Sequence, residues 1–384
     1  MGSRSTQPAA ATEMTLTSVM TLEGHKDAIV SMAYFPDGKR IISVSFEETV
    51  RQWDLQAGKE IEEVRSACEG NIYLAVVSRD GQWVMTSGGD EEYNLKELKA
   101  CEIETGIVKT FQDSRVITCI DISTDGKLLA SGSMDHTVLI WGMDAGEVVA
   151  GPFESDDDVF AARLSPDSKK LAVESQTKKC LEVWDVQTQK LDARLGKKGY
   201  GVVTFAPMFW TKKGTILAAF SFDFDDNDSK PTTTYEFDAS TLETVGDPFE
   251  GHTDSILDLA LSSDGVLLAS SSFHNTIKLW SIEPRQLLAS FHFQHDKQLF
   301  NPIFSPDTRQ LAYSVDDKIF IYNTPPDILA SIRLAPGAQA IVCICCIYLI
   351  IDVLISSSRS VHLTIQPSMT YSMCTSHYSI HLHY

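Results

Sequence analysis

The sequence predicts an all-β fold, a seven-bladed β-propeller of four-stranded antiparallel blades. Two columns of residues that keep step along the chain carry that prediction. The first is aromatic: Trp53, Trp141, Trp184 and Trp280, with Tyr235 and Tyr322 as substitutes and Cys101 as its weakest member. Successive gaps of 48, 40, 43, 51, 45 and 42 residues lie near the roughly 40–45 of a four-stranded blade unit. Seven units result.

The second column fixes the element order inside each unit. The triplets PDG at 36–38, RDG at 79–81, TDG at 124–126, PDS at 166–168, SDG at 263–265 and PDT at 306–308 separate alternating apolar runs, as in VSMAYFPDGKRIISVS. Each therefore marks a hairpin. From turn Asp to aromatic the distance is 16 residues in units one, three and six, 17 in unit four and 15 in unit seven. An ordinary sandwich has no reason to repeat in this way. Units two and five depart from the pattern. Asp80 stands 21 residues before Cys101, and the turn KKG at 212–214 is similarly far from Tyr235. The surplus falls between second and third strands, in GGDEEYNLKE and SFDFDDNDSKPTT, and these two blades are expected to be the most loosely specified.

GHKDAIVSMAYFPDGKRIISVSFEETVRQWD, from Gly24 to Asp54, is close to a full unit of the Trp-Asp (WD) repeat family. The chain resembles that family over about residues 15–334, with wording similar to fungal members. The segment LTSVMTLEGH at 16–25 resembles the outer-strand phrases ETVGDPFEGH at 243–252 and QLLASFHFQH at 286–295. The family pattern implies that it closes the seventh blade, leaving no sticky edge. DILASIRL at 327–334 reads as an outer strand too and competes for the same place. The resemblance also implies a hydrogen-bonded lock of loop His, Ser or Thr, turn Asp and strand Trp, because a buried indole and imidazole need partners. It falls on His25, Ser45 and Trp53 in blade 1, with Glu47 in the Asp place. In blade 3 it falls on Asp135 and Trp141, where DSR replaces Gly-His, and Trp184 holds the Trp place in blade 4. In blade 6 it falls on His252 and Trp280, with His274 in the Asp place. These residues are structural in this reading, not catalytic.

Composition bounds the function. Residues are 43% hydrophobic and 22% charged, the profile of a soluble globular protein. The 52 acidic against 32 basic side chains give a formal charge of -20, whose field repels nucleic acid and anionic membrane. Cys68, Cys101, Cys119 and Cys180 are scattered and the other four follow residue 340, so no disulfide framework is present. With no apolar leader at the start, the expected address is cytoplasmic or nuclear. MGSRST fits the myristoylation pattern through Gly2 and Thr6; the alternative is a frayed, disordered segment over 1–14.

No Ser/His/Asp order, Gly-rich phosphate loop or paired-Cys zinc spacing stands in the body, so no catalytic residue, cofactor or metal is expected. In DFDDND, Asp223, Asp225 and Asn227 follow the first ligands of a calcium loop. Asp228 stands where that loop needs Gly and Thr234 where it needs Glu. Function is then expected where the units differ. In propellers of the family the second-to-third-strand connection shares a face with the loop leading to the next blade. On that face fall Glu47 and Glu48, Asp90, Glu91 and Glu92, Asp156, Asp157 and Asp158, Asp223, Asp225, Asp226 and Asp228, and Asp316 with Asp317. Tyr93, Phe222 and Phe224 add aromatic handles. The expectation is a non-enzymatic scaffold or adaptor over 15–335 whose acidic face takes a basic peptide or protein surface. An enzyme with a site assembled across blades, and a propeller tethered to a membrane, are the alternatives.

After Pro336 the composition switches abruptly. Residues 340–355 are mostly apolar and interrupted by Asp352, short of the roughly 20 that span a bilayer. The tail 336–384 reads as unspliced intron translated by a faulty gene model, or as a tail anchor. The spacing of Cys343, Cys345 and Cys346 with His362 or His377 matches no metal site.

Overall fold

Seven antiparallel sheets follow one another along residues 18–333 in a computed structural model of the protein. Described are residues 18–47, 49–61, 71–89, 97–112, 117–175, 178–196, 206–223, 230–293 and 298–333, and the backbone of 365–367 and 378–380. The chain divides into two units, 1–335 and 336–384. The second shows a two-stranded ladder, Ile365–Pro367 with Tyr378–Ile380.

The first unit is a seven-bladed propeller. Blade 1 comprises Ile29–Tyr34, Arg40–Ser45, Val50–Asp54 and Lys59–Glu60; blade 2 Asn71–Val77, Trp83–Gly89, Glu97–Glu102 and Val108–Gln112; blade 3 Ile117–Ile122, Leu128–Ser133, Thr137–Gly142 and Val148–Glu154. Blade 4 comprises Val159–Leu164, Lys170–Ser175, Cys180–Asp185 and Lys190–Gly196, and blade 6 Ile256–Leu261, Leu267–Ser272, Thr276–Ser281 and Gln286–His292. Blade 7 comprises Leu299–Phe304, Gln310–Val315 and Lys318–Asn323, and its outer strand is Ser18–Glu23, paired from Ser18↔Tyr322 to Glu23↔Lys318. The chain start thus closes the ring. The rival segment is not a strand but a helix, α1, Pro326–Arg333. Pro326 and Asp327 suit a helix start, and Ile328 and Ile332, four apart, both turn onto the core between blades 6 and 7.

The turn column has a common chemistry. In blades 2, 3, 4, 6 and 7 the hydroxyl of Ser78, Ser123, Ser165, Ser262 or Ser305 donates to the Asp two residues on. The same oxygen accepts the first amide of the second strand. The residue after each Asp is left-handed, at φ 66° for Gly38 and 72° for Gly81, which glycine adopts at no steric cost. Ser168 and Thr308 adopt it too, at φ 59° and 62°.

Register puts the aromatic column in one place: each member faces the second residue of the second strand, as in Ile41↔Trp53, Leu129↔Trp141, Leu171↔Trp184 and Leu268↔Trp280. Cys101 holds it in blade 2 against Val84, and Tyr322 in blade 7 against Leu311. In blade 5 the residue there is Phe237, against Ile216, and not Tyr235, which faces Ala218. Blade 5 is also the irregular one. Phe209–Trp210, Thr215–Ala219 and Thr234–Asp238 form its sheet, and the fourth place holds only the bridges Thr234↔Phe249 and Phe237↔Thr244. Blade 2, expected to be loose as well, has all four strands.

The core lies between blades. Seven apolar clusters among the described residues occupy the seven junctions, for example Leu22, Ile29, Trp53 and Ile319 at the seam of blades 7 and 1, and Phe153, Val159 and Leu171 between blades 3 and 4. An outer-strand Phe of one blade meets the column residue of the next edge-on: Phe111 with Trp141, Phe153 with Trp184, and Phe249 with Trp280, at 5.8, 5.8 and 5.9 Å between ring centroids. Such contacts add to area burial. Phe153→Ala should therefore lower unfolding free energy by about 3–5 kcal/mol in denaturant melts, although Phe153 and Trp184 belong to different blades.

Candidate protein-binding face

The antiparallel order puts the second-to-third-strand turns and the blade-to-blade loops at one end of the propeller. Main-chain hydrogen bonds join them there: Ile29 N to Asp316 O, Phe46 N to Ala28 O, Ser155 N to His136 O, and Phe273 N to Ser255 O. Just beneath lie the locks.

In blade 1 the Trp53 indole N–H donates to Ser43 Oγ (2.8 Å), which lies 2.7 Å from His25 Nε2, and His25 Nδ1 lies 2.7 Å from the Glu47 carboxylate. A neutral His25 with its proton on Nδ1 satisfies every member. The serine is Ser43, not Ser45, whose hydroxyl instead donates to Asp27 O. Burial resists ionisation of Glu47, but hydrogen bonds from Thr49 and His25 outweigh it and hold the carboxyl below its usual range. Blade 6 repeats the arrangement, with Trp280 donating to Ser270 (2.9 Å) and Ser270 2.7 Å from His252. His274 stands in the place of Glu47, its ring 5.5 Å from that of His252. Burial, then the charge of Lys278 and of His274, lower the His252 pKa to about 3. In blade 3, Trp141 donates to Ser131 (2.9 Å), and Asp135 accepts the Thr137 amide and hydroxyl. Blade 4 has Val173 where the serine would be. There Trp184 donates to Glu182 (3.1 Å), and Arg194 spans Glu182 (2.9 Å) and Asp156 (2.7 Å).

The acidic residues accordingly divide. Glu47 has only 13% of its side chain exposed and serves the blade 1 lock. Asp156 is held by Arg194. Asp157 is buried, and its carboxylate accepts the Asp158 amide. Asp158 lies 3.5 Å from His136 Nε2. Asp223 is exposed, and Asp316 and Asp317 are half-buried. Glu48, Asp90, Glu91, Glu92, Tyr93, Phe224, Asp225, Asp226 and Asp228 lie outside the described residues. Among the described residues, one group could converge on a metal ion: His136, Asp157 and Asp158, with ligand atoms within 4.8 Å of one another. A cavity of about 310 Å³ lies at the opposite end, between the first hairpins of blades 1 and 7, lined by Pro36, Asp37, Pro306 and Asp307 among others.

Sequence reasoning missed a second set at this end of the propeller. Phe46 and Met134 begin the second-to-third-strand turns of their blades, Phe222 lies in the connection that follows Thr215–Ala219 in blade 5, and the three are 56%, 44% and 41% exposed. Phe273, half-buried, holds the place of Phe46 and Met134 in blade 6. In blades 1, 3 and 6 the shared signal is an apolar residue directly after a strand's last serine, in SF, SM and SF.

The family model "WD domain, G-beta repeat" matches residues 16–54, 106–142 and 243–281. Each match ends one residue past Trp53, Trp141 or Trp280, the three indoles that donate to serine. Curated relatives are distant. A WD repeat-containing protein of Schistosoma mansoni is 25% identical over 224 residues, 55% of this chain and 69% of the relative. A transcriptional corepressor of Arabidopsis thaliana is 27% identical over 56% of this chain and 31% of its own length. A guanine nucleotide-binding protein subunit beta of Solanum tuberosum is 21% identical over 68% of this chain and 82% of its own. The match thus spans less than two thirds of some relatives, the corepressor among them. No helix among the described residues is long and apolar enough to cross a membrane.

The neutral His252 gives the fold a pH dependence. Its folded pKa of about 3 lies below the ordinary 6.5, so the unfolded chain takes up the proton first. Stability is full above about pH 6.5 and drains as pH falls toward about 3, by up to about 1.4 kcal/mol per unit. Denaturant melts from about pH 7 to about pH 4 should show His252→Gln less stable at neutral pH and its acid slope shallower.

Proposed function

We propose that this seven-bladed propeller, three of whose units match the WD-repeat model, is a non-enzymatic scaffold whose acidic end receives a basic peptide or basic protein surface. WD-repeat relatives bearing names such as corepressor and G-protein subunit support a protein-binding role. A cytoplasmic or nuclear address belongs to the same reading. The observation that carries the finer claim is the gathering, by strand order alone, of Asp158, Asp223, Asp316 and Asp317 from three places around the ring onto one end of a chain of net charge -20. Their potentials add there and steer a cationic partner. Binding is assigned to these four rather than to Glu47 and Asp156, which support the blades.

The test is titration of a fluorescent lysine–glycine peptide into the protein and into a variant carrying Asp158→Asn, Asp223→Asn, Asp316→Asn and Asp317→Asn. Asn suits position 316, where φ is 55°. Binding that weakens about tenfold or more in the variant, and falls with added salt, is expected. Equal affinity for both proteins contradicts the acidic-end reading.

A further inference from the structure

We propose that Phe46, Met134 and Phe222 are apolar anchor points for the partner, so that the segment recognised carries large apolar side chains set between lysines or arginines. This deepens the acidic-end reading and rests on it. Turn positions are ordinarily polar, and the residues beside Phe46 and Met134 are occupied by the fold. In blade 1 Ser45 donates to Asp27 O and Glu47 serves His25. In blade 3 Ser133 Oγ accepts the Asp135 amide, and Asp135 holds Thr137. Between them Phe46 and Met134 are about half exposed. Phe222 packs one side on Tyr235 and Phe220, with centroids at 5.0 and 5.1 Å, and is 41% exposed.

Phe46 and Met134 hold one repeat position, which half-buried Phe273 holds in blade 6, and Phe222 follows one residue further along its blade. Such a grouping at one end is a pattern, where single exposed apolar residues need no explanation. Each is followed directly by a carboxylate, in Phe46–Glu47, Met134–Asp135 and Phe222–Asp223. Glu47 and Asp135 are held by the fold, but Asp223 is exposed beside Phe222, and an apolar group docked at this end places its neighbours within the field of the acidic residues there. Charge complementarity selects an amphipathic basic segment as occupant, over a purely apolar or an acidic one.

Three labelled peptides test this by anisotropy: lysine–glycine alone, the same with leucine and phenylalanine interspersed, and the latter with glutamate for lysine. The amphipathic basic peptide should bind about tenfold or more tightly than lysine–glycine. Phe46→Ser/Met134→Ser/Phe222→Ser should erase that advantage and leave lysine–glycine binding unchanged. Phe46→Ser/Met134→Ser, which spares the Phe222 packing, should reduce it in part. Equal affinity for both basic peptides, or an advantage that survives the triple substitution in a protein with unchanged circular dichroism, overturns the proposal while leaving the acidic-end reading intact. Loss of lysine–glycine binding by the unsubstituted protein, with the apolar preference still sensitive to the triple substitution, sinks the acidic-end reading instead. Tighter binding of the glutamate peptide overturns both.

Discussion

The propeller depends on one recurring wedge: a large side chain on the third strand of a blade that is tied to its own second strand and pressed against the blade before. In blades 1, 3 and 6 the tie is an indole N–H on a serine ten residues earlier. The pressing partner is an outer-strand residue of the preceding blade, Phe111 for Trp141 and Phe249 for Trp280. A buried indole without an acceptor would cost about 1–3 kcal/mol, so the serine is part of the wedge. Because the partner comes from the preceding outer strand, the sequence unit straddles two blades, and the chain must lend its first strand, Ser18–Glu23, to the last blade. Ring closure and repeat phase are the same fact.

Blades without the Trp–Ser pair meet the same requirement by other chemistry. Blade 4 has Val173 at the serine position, and its indole turns to Glu182, whose charge is met by Arg194 and, through it, by Asp156. Blade 5 uses Phe237, which has no donor to satisfy and packs edge-on against Phe220. Blade 7 stacks Tyr322 on Tyr313 at 5.4 Å and joins their hydroxyls at 2.9 Å. The matches to the family fall on the three units whose indole finds a serine.

Most of the fold was legible in the sequence because wedge and turn recur at fixed spacing. The errors trace to features that spacing does not encode. Ser43 and Ser45 share a strand face, and only cross-strand register tells which lies under Trp53. Tyr235 and Phe237 lie two apart on one strand, and only the pairing of Phe237 with Ile216 tells which holds the column place in blade 5. Residues 327–334 resemble a strand locally, but Ser18–Glu23 already fills the edge they would pair with. Of the acidic residues, the sequence disclosed the charge but not its commitments. That Arg194 claims Asp156 and His25 claims Glu47 depends on contacts between different strands or loops. Phe46 and Met134 stand out only once their exposure and the strand ends before them are known.

In the function proposed, framework and binding surface share one end of the molecule but draw on different residues, the first on Ser, His, Trp and the carboxylates that hold them, the second on what those bonds leave facing water. The account rests on the wedge acting as a unit. A double-mutant cycle of Ser131→Ala and Trp141→Phe, read from denaturant melts, measures that directly. A coupling of about 1 kcal/mol or more is predicted, since each change alone breaks the same bond. Additivity within about 0.3–0.5 kcal/mol would contradict it.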